Sequence, residues 1–280
     1  MNINSRVAVF VGFLIAPGVA FGQPGNVCGD LPSHATLRAT LRAVVVQAGE
    51  PNGGLDNNMW ATLVNRDGEV CAVVFSGEDR DDQWPGSRVI SAQKANTANA
   101  FSLSGGSAGI FPGLALSTAN LYWPVQPGES LFGLQHSNPV DTTAAYAGNP
   151  ANYGSQSDAM VGDRIGGVNV FGGGVGLYDT AGRLIGGLGV SGDTSCTDHV
   201  VAWKVRHLVN LDNVPTGLAV GGTDNMIQDI VLNATNHLQS ASGFGHPTCP
   251  NNPSPSLLQA ACPTGAAVAV PGCAAAVVVP

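Results

Sequence analysis

A strand stripped of side chains has to lie against something that comes very close, and one stretch of this chain is built that way. Between Gly166 and Gly192 glycine recurs among Val, Leu and Ile, most densely in Gly172-Gly-Gly-Val-Gly176 and Gly186-Gly-Leu-Gly-Val-Ser-Gly192. Glycine inside a strand marks a bulge or the close approach of a ligand or a second backbone. Thr180-Ala181-Gly182 is a turn signal, so Gly166–Asp179 and Arg183–Ser191 read as a hairpin. An earlier hairpin has the ordinary composition: Trp60–Asn65 and Glu69–Phe75 flank Arg66-Asp67-Gly68. Its core candidates are Trp60, Leu63, Val70, Val73, Val74 and Phe75.

Helical periodicity surrounds these hairpins. A first helix is expected from about Leu31, capped by Ser33, with Leu37, Leu41, Val44 and Val45 on one face, ending at Gly49-Glu50-Pro51-Asn52-Gly53-Gly54. Ser87–Phe101 reads as a second helix capped by Ser87, with Ile90, Ala95, Ala98 and Phe101 toward the sheet. Leu114–Tyr122 reads as a short third helix, and Asp193 or Thr194 caps a last one running to about Leu211. Thr142–Ile165, rich in Ala, Gly, Asn, Pro and Ser, reads as an inserted loop. The order α-β-β-α…β-β-α predicts an α+β fold with an antiparallel sheet and helices packed against it, in a single domain with a C-terminal extension.

Composition narrows the partners. Charged residues are 11% of the 280-residue chain, the net charge is −8, and no Lys/Arg cluster exists. A phosphate backbone requires dense positive charge, which argues against nucleic acid, and an anionic membrane surface is disfavoured for the same reason. Arg6, the apolar run Val7–Ala20 and Ala20-Phe21-Gly22 predict a signal peptide over residues 1–22, cut before Gln23. The run is too short to span a bilayer and contains Pro17, and no other segment of the mature chain could span. An extracytoplasmic location, periplasmic or secreted, is therefore expected. The domain then covers 23–212, with 142–165 as its insertion, and 213–280 is the extension with a low-complexity end. Six cysteines in an exported chain suggest disulfides, and Cys196 with Cys249 is the expected tie between extension and domain. A free buried thiol is the alternative for Cys71. No CxxC or CxxCH spacing is present, which disfavours covalent haem attachment and a thiolate zinc knuckle.

Three segments together resemble the GlcG/HbpS-like haem-binding family, of the DUF336 type. They are Met59–Phe75, similar to its opening hairpin; Ser87–Phe101, similar to its K-A-x-T-A-x-x-F helix; and Phe171-Gly-Gly-Gly-Val-Gly-Leu with Gly186-Gly-Leu-Gly-Val-Ser-Gly192 and Asp198, similar to its glycine strands and trailing aspartate. The resemblance spans about Leu31 to Leu211. It implies a profilin-like fold, homo-oligomeric assembly, and haem or iron as ligand, with roles in haem handling or redox sensing. This chain departs from the pattern at Val175-Gly176, where the family carries proline, and in its insertion and cysteine-bearing tail.

Haem requires an apolar slot, an axial ligand and partners for two propionates. His136, in Leu131–Asn138, and His199, in the first turn of the last helix, are the axial candidates; His207 and Tyr122, Tyr146 and Tyr178 are further ones. Each histidine could instead be a surface or core group satisfied by hydrogen bonds. Arg88, Lys94 and Arg206 could meet propionates, and Gly172, Gly173 and Gly174 would wall the slot. A rival reading is a small-molecule enzyme in the same pocket, with Asp198 and His199 as acid–base groups and Arg88 as a binding group. A third is an interaction or sensory module without chemistry. Glu78-Asp-Arg-Asp-Asp82 could hold a hard cation but reads more simply as a solvated acidic turn. A Ser195–His199 pair lacks a G-x-S-x-G elbow. Gly172–Gly176 precedes a strand rather than a helix, so no nucleotide cofactor is expected.

Overall fold

The structure is a computed structural model, describing residues 28–45, 52–106 and 113–250. The predicted signal peptide, Cys262, Cys273 and the low-complexity end lie outside the described residues.

Four antiparallel strands form the central sheet: β1 (Trp60–Asn65), β2 (Val70–Phe75), β4 (Gly174–Tyr178) and β5 (Leu184–Ser191), in the order β2-β1-β5-β4. β3 (Leu114–Ala115) lies in the connection between the two hairpins. Both hairpins form where their turn residues place them, and β1 pairs with β5 in register from Trp60↔Ser191 to Asn65↔Gly186.

Alternation sends the side chains to two cores. Ala61, Leu63, Ala72, Val74, Val175, Leu177, Leu188 and Val190 meet α1 (His34–Val45) and α4 (Ser195–Leu208) on one face. Trp60, Val64, Val73 and Phe75 meet Val89, Ala92 and Ala95 of α2 (Ser87–Ala100) on the other. The fold is thus α+β, with helices on both faces of one antiparallel sheet. Burial on both faces explains why these strands are apolar almost throughout.

α1 is capped by Ser33, whose Oγ accepts from Thr36 N at 3.2 Å. α4 is capped by Thr194, which accepts from Thr197 N. Ser87 is not a cap: Gly86 holds that position and Ser87 is buried. Val89 and Ala92 face the sheet in place of the half-buried Ile90.

Leu114–Tyr122 is not a helix. β3 pairs in parallel with β6 (Thr216–Gly217) of the extension, and a 3₁₀ turn follows at Thr118–Leu121. That pairing recruits a partner about a hundred residues away, which local periodicity cannot register. Nor is 142–165 a detached loop. It carries the short helix α3 (Thr142–Ala145) and buries Ala145, Met160 and Ile165 in the core beneath α2. The extension folds back as well, through β6 and the ribbon β7 (Ile230–Leu232) with β8 (Leu238–Ser240). Cys196–Cys249 forms as expected. Cys71 is bonded to Cys28 rather than free, because β2 carries it opposite the segment that enters α1.

Candidate functional site

The glycine strands do not wall an open slot. A Cβ on Gly189 would collide with Ser91 O, one on Gly187 with Ala95 O, and one on Gly174 with Lys94 O, each closer than 3.0 Å. The space the missing side chains free is taken by the backbone of α2 at Ser91, Lys94 and Ala95. Gly172 and Gly173 are crowded from the α4 side: a Cβ there would meet Ser195 O and the Met226 methyl, or Val190 O and Asp198 Cβ. Gly172, Gly173 and Gly174 thus each lie tightly against other atoms of this chain.

Beneath Gly173 lies a buried ion pair. Lys94 Nζ is 2.6 Å from Asp198 Oδ2 and donates to Val190 O at 3.1 Å. Asp198 Oδ1 accepts from Gly192 N and Asp193 N at 3.0 and 2.9 Å. Burial pushes the Asp198 carboxyl up to about 6, with Lys94 pulling against it, so it is ionised at neutral pH. Three donors of this chain thus hold the carboxylate, two on Oδ1 and one on Oδ2.

The other two buried cations are matched in the same way. Arg88 forks onto Asp158, with Nε to Oδ2 at 2.9 Å, donates to Ala145 O and stacks over Tyr153. Arg206 forks onto Asp224 at 2.7 and 2.8 Å and donates to Gly176 O at 3.0 Å. Asp158 belongs to the insertion and Asp224 to the extension. Arg88, Lys94 and Arg206 are thus already neutralised, and two of them fasten the peripheral segments to the core. Charge-assisted forks of this kind are strong and directional. The hint for Asp224 lay in composition: it and Asp229 are the only charged residues after Asp212.

His199 is 1% exposed and lies under the extension. Its Nε2 is 3.1 Å from Asn225 Oδ1, and Met226 N is shared between the same Oδ1 at 2.8 Å and Nε2 at 3.2 Å. The tautomer that satisfies every donor puts the proton on Nε2 and leaves a lone pair on Nδ1, which has no hydrogen-bond partner. Burial holds the imidazole down at about 4, with Asp224 opposing and Arg206 and His246 reinforcing, so it is neutral at pH 7. Asp198 and His199 are adjacent in sequence but engage different partners. Met226 reaches from Asn225 to Gly172 and covers this corner.

A second buried imidazole, His246, was missed by sequence reasoning; it lies in the tail, away from every motif. Its Nδ1 donates to Pro247 O at 2.7 Å, its Nε2 has no partner, and its ring lies 5.3 Å from that of Tyr122. Burial holds it down at about 4, helped by Lys94.

The remaining candidates are placed elsewhere. His136 is exposed on a turn bonded to Gly133. His207 bonds Asp212 at 2.7 Å, which raises its affinity for a proton. Tyr178 is buried and donates to Leu103 O, and Tyr146 is exposed. Ser195 Oγ sits 3.5 Å from Cys249 Sγ, so no Ser–His pair forms. Glu78–Asp82 is a surface turn in which Asp79 caps a 3₁₀ turn and Glu78 pairs with Arg42.

An antiparallel sheet between two helices on one face and one on the other, its glycine strands closed by α2, defines an α+β domain of the kind the motifs suggested. The profile of the "Haem degrading protein HbpS-like" family matches residues 39–206, and the chain belongs to that family. Among solved structures it is similar to Klebsiella pneumoniae protein ORFY of the DUF336 family, at 20% identity and TM-score 0.39, covering 63% of this chain and 88% of that one. It is also similar to the PduOC:heme complex, at 23% identity and TM-score 0.39, covering 63% and 93%. No curated protein matches the chain. Among the described residues no helix is long and apolar enough to cross a membrane, and the two disulfides are consistent with an oxidising compartment.

Proposed function

We propose that this chain is an exported haem-binding protein and that His199 supplies the iron ligand. The observation that carries this reading is the buried, neutral imidazole whose Nδ1 lone pair has no partner. An axial ligand must be unprotonated, and its other ring nitrogen is characteristically held by an oxygen acceptor, the role Asn225 fills here. Membership in the HbpS-like family supports the ligand class. The donor fits haem iron. The space beside Gly172 is filled by the Met226 side chain, so binding requires that side chain to swing aside while Asn225 keeps its bond to His199. Haem, when bound, supplies the redox-active iron; His199 supplies the donor, and Asn225 orients the ring. Arg88, Lys94 and Arg206 are already paired with Asp158, Asp198 and Asp224, so none of them would hold the propionates. Export through residues 1–22, homo-oligomeric assembly and a role in haem handling or redox sensing complete the proposal.

The test is haemin titration followed by absorption. Wild type and His136→Ala should develop the same shifted Soret band, and His199→Ala should lose or displace it while circular dichroism shows the fold intact. No Soret band in wild type, or an unchanged one in His199→Ala, refutes the assignment.

A further inference from the structure

At the start of α4, Cys196, Cys249 and His246 each place one potential ligand atom within 4.8 Å of the other two. Cys196 and His246 are fully buried, and Cys249 is half-buried. Two thiolates and a nitrogen around one tetrahedral cation at ~2.3 and ~2.0 Å stand less than ~4 Å apart, so these atoms already lie close to a single coordination shell. The imidazole is prepared for ligation independently of the cysteines. Its Nδ1–H is fixed on the carbonyl of Pro247 and its Nε2 lone pair is buried without a partner. That is the outer-sphere arrangement metal-bound histidines use. The sulfurs are supported as well: Cys196 N donates to Cys249 Sγ at 3.2 Å, and the Gln228 amide donates to Cys196 Sγ at 3.6 Å.

We propose that opening the Cys196–Cys249 disulfide creates a Cys₂His site for a soft d¹⁰ cation of the Zn²⁺ class, with the fourth position open toward solvent beside Cys249. Thiolate and imidazole ligands select such ions over Mg²⁺ or Ca²⁺. The chemistry balances with a dithiol as reductant. The dithiol gives two electrons and two protons, its sulfurs join in a new S–S bond, and the Cys196–Cys249 bond breaks to two thiols. Zn²⁺ then displaces both thiol protons to water with no further change of oxidation state. The site is independent of the haem reading, since His199 takes no part in it. Its consequence is that the extension stays fastened to α4 in either redox state, by a covalent bond when oxidised and by the metal when reduced.

The experiment uses the full chain with Cys262→Ser and Cys273→Ser. Zn²⁺ is titrated against a chromophoric chelator before and after reduction, and Co²⁺ is used for its thiolate charge-transfer bands. The reduced protein should bind one Zn²⁺ tightly and the oxidised protein none at that affinity. Cys249→Ser should abolish the tight phase and the sulfur-to-cobalt band. His246→Ala, which leaves both thiols in place, should weaken binding roughly 100-fold, while Cys28→Ser with Cys71→Ser leaves it unchanged. Equal binding by Cys249→Ser, equal affinity in His246→Ala, or no uptake by the reduced chain would each overturn the proposal.

Discussion

Replacing His199 with glutamine should flatten the dependence of folding stability on pH. His199 and His246 both titrate near 4 in the folded protein, against 6.5 for an unhindered imidazole. Below pH 6.5 the unfolded chain binds protons that the folded chain refuses, so the unfolded state gains and stability falls as pH drops. Integrated from pH 7 to 4, each histidine costs about 3 kcal/mol. Asp198 acts in the opposite sense. Its folded value of about 6 exceeds the ordinary 3.8, so between those values the folded state binds the extra proton and stability rises by about 2 kcal/mol as pH falls. The raised affinity of His207 for a proton has the same sign. His199, His246 and Asp198 together give a net loss of about 4 kcal/mol over that range, which His207 reduces and the lowered carboxyls of Glu78, Asp179 and Asp229 add to. His199→Gln keeps an amide for Asn225 and removes the titration, so its loss should shrink by about 3 kcal/mol. Urea unfolding at pH 4, 5, 6 and 7, with disulfides intact, measures both curves. A variant curve parallel to wild type, or a wild type more stable at pH 4 than at pH 7, would refute the buried neutral imidazole.

Gly189→Ala forces a Cβ into Ser91 O and should cost about 3 kcal/mol or more, seen as a lower urea midpoint; a loss of haem affinity without that loss of stability would return the glycine strands to a ligand role. Asp158→Ala strands Arg88 as an unpaired buried charge and should cost about 3–5 kcal/mol, with protease cleavage appearing first within 142–165; a cost below about 1 kcal/mol would mean Arg88 finds water or another acceptor.

What the sequence disclosed was mostly local. Arg66-Asp67-Gly68 and Thr180-Ala181-Gly182 located both hairpins because turn geometry is decided within a few residues. Ser33 and Thr194 announced their helices for the same reason. The glycine strands were recognised as a place of close approach, but what approaches is α2, and the small residues Ser91, Ala92 and Ala95 were the available sign of it. The partners of Arg88 and Arg206 come from segments of irregular composition, 70 and 18 residues distant, where periodicity carries no information. His199 was legible from its place beside the glycine motif, whereas His246 required the tail to fold back, an event written only in long-range contacts.

The covalent staple between Cys196 and Cys249 closes a ring of chain that includes the exposed hairpin tip at Val220-Gly221-Gly222. A peptidase that cuts there would not release anything. Two polypeptides would remain joined, migrating as one band on a gel until a reductant separates them, so the integrity of this molecule has to be judged on both kinds of gel.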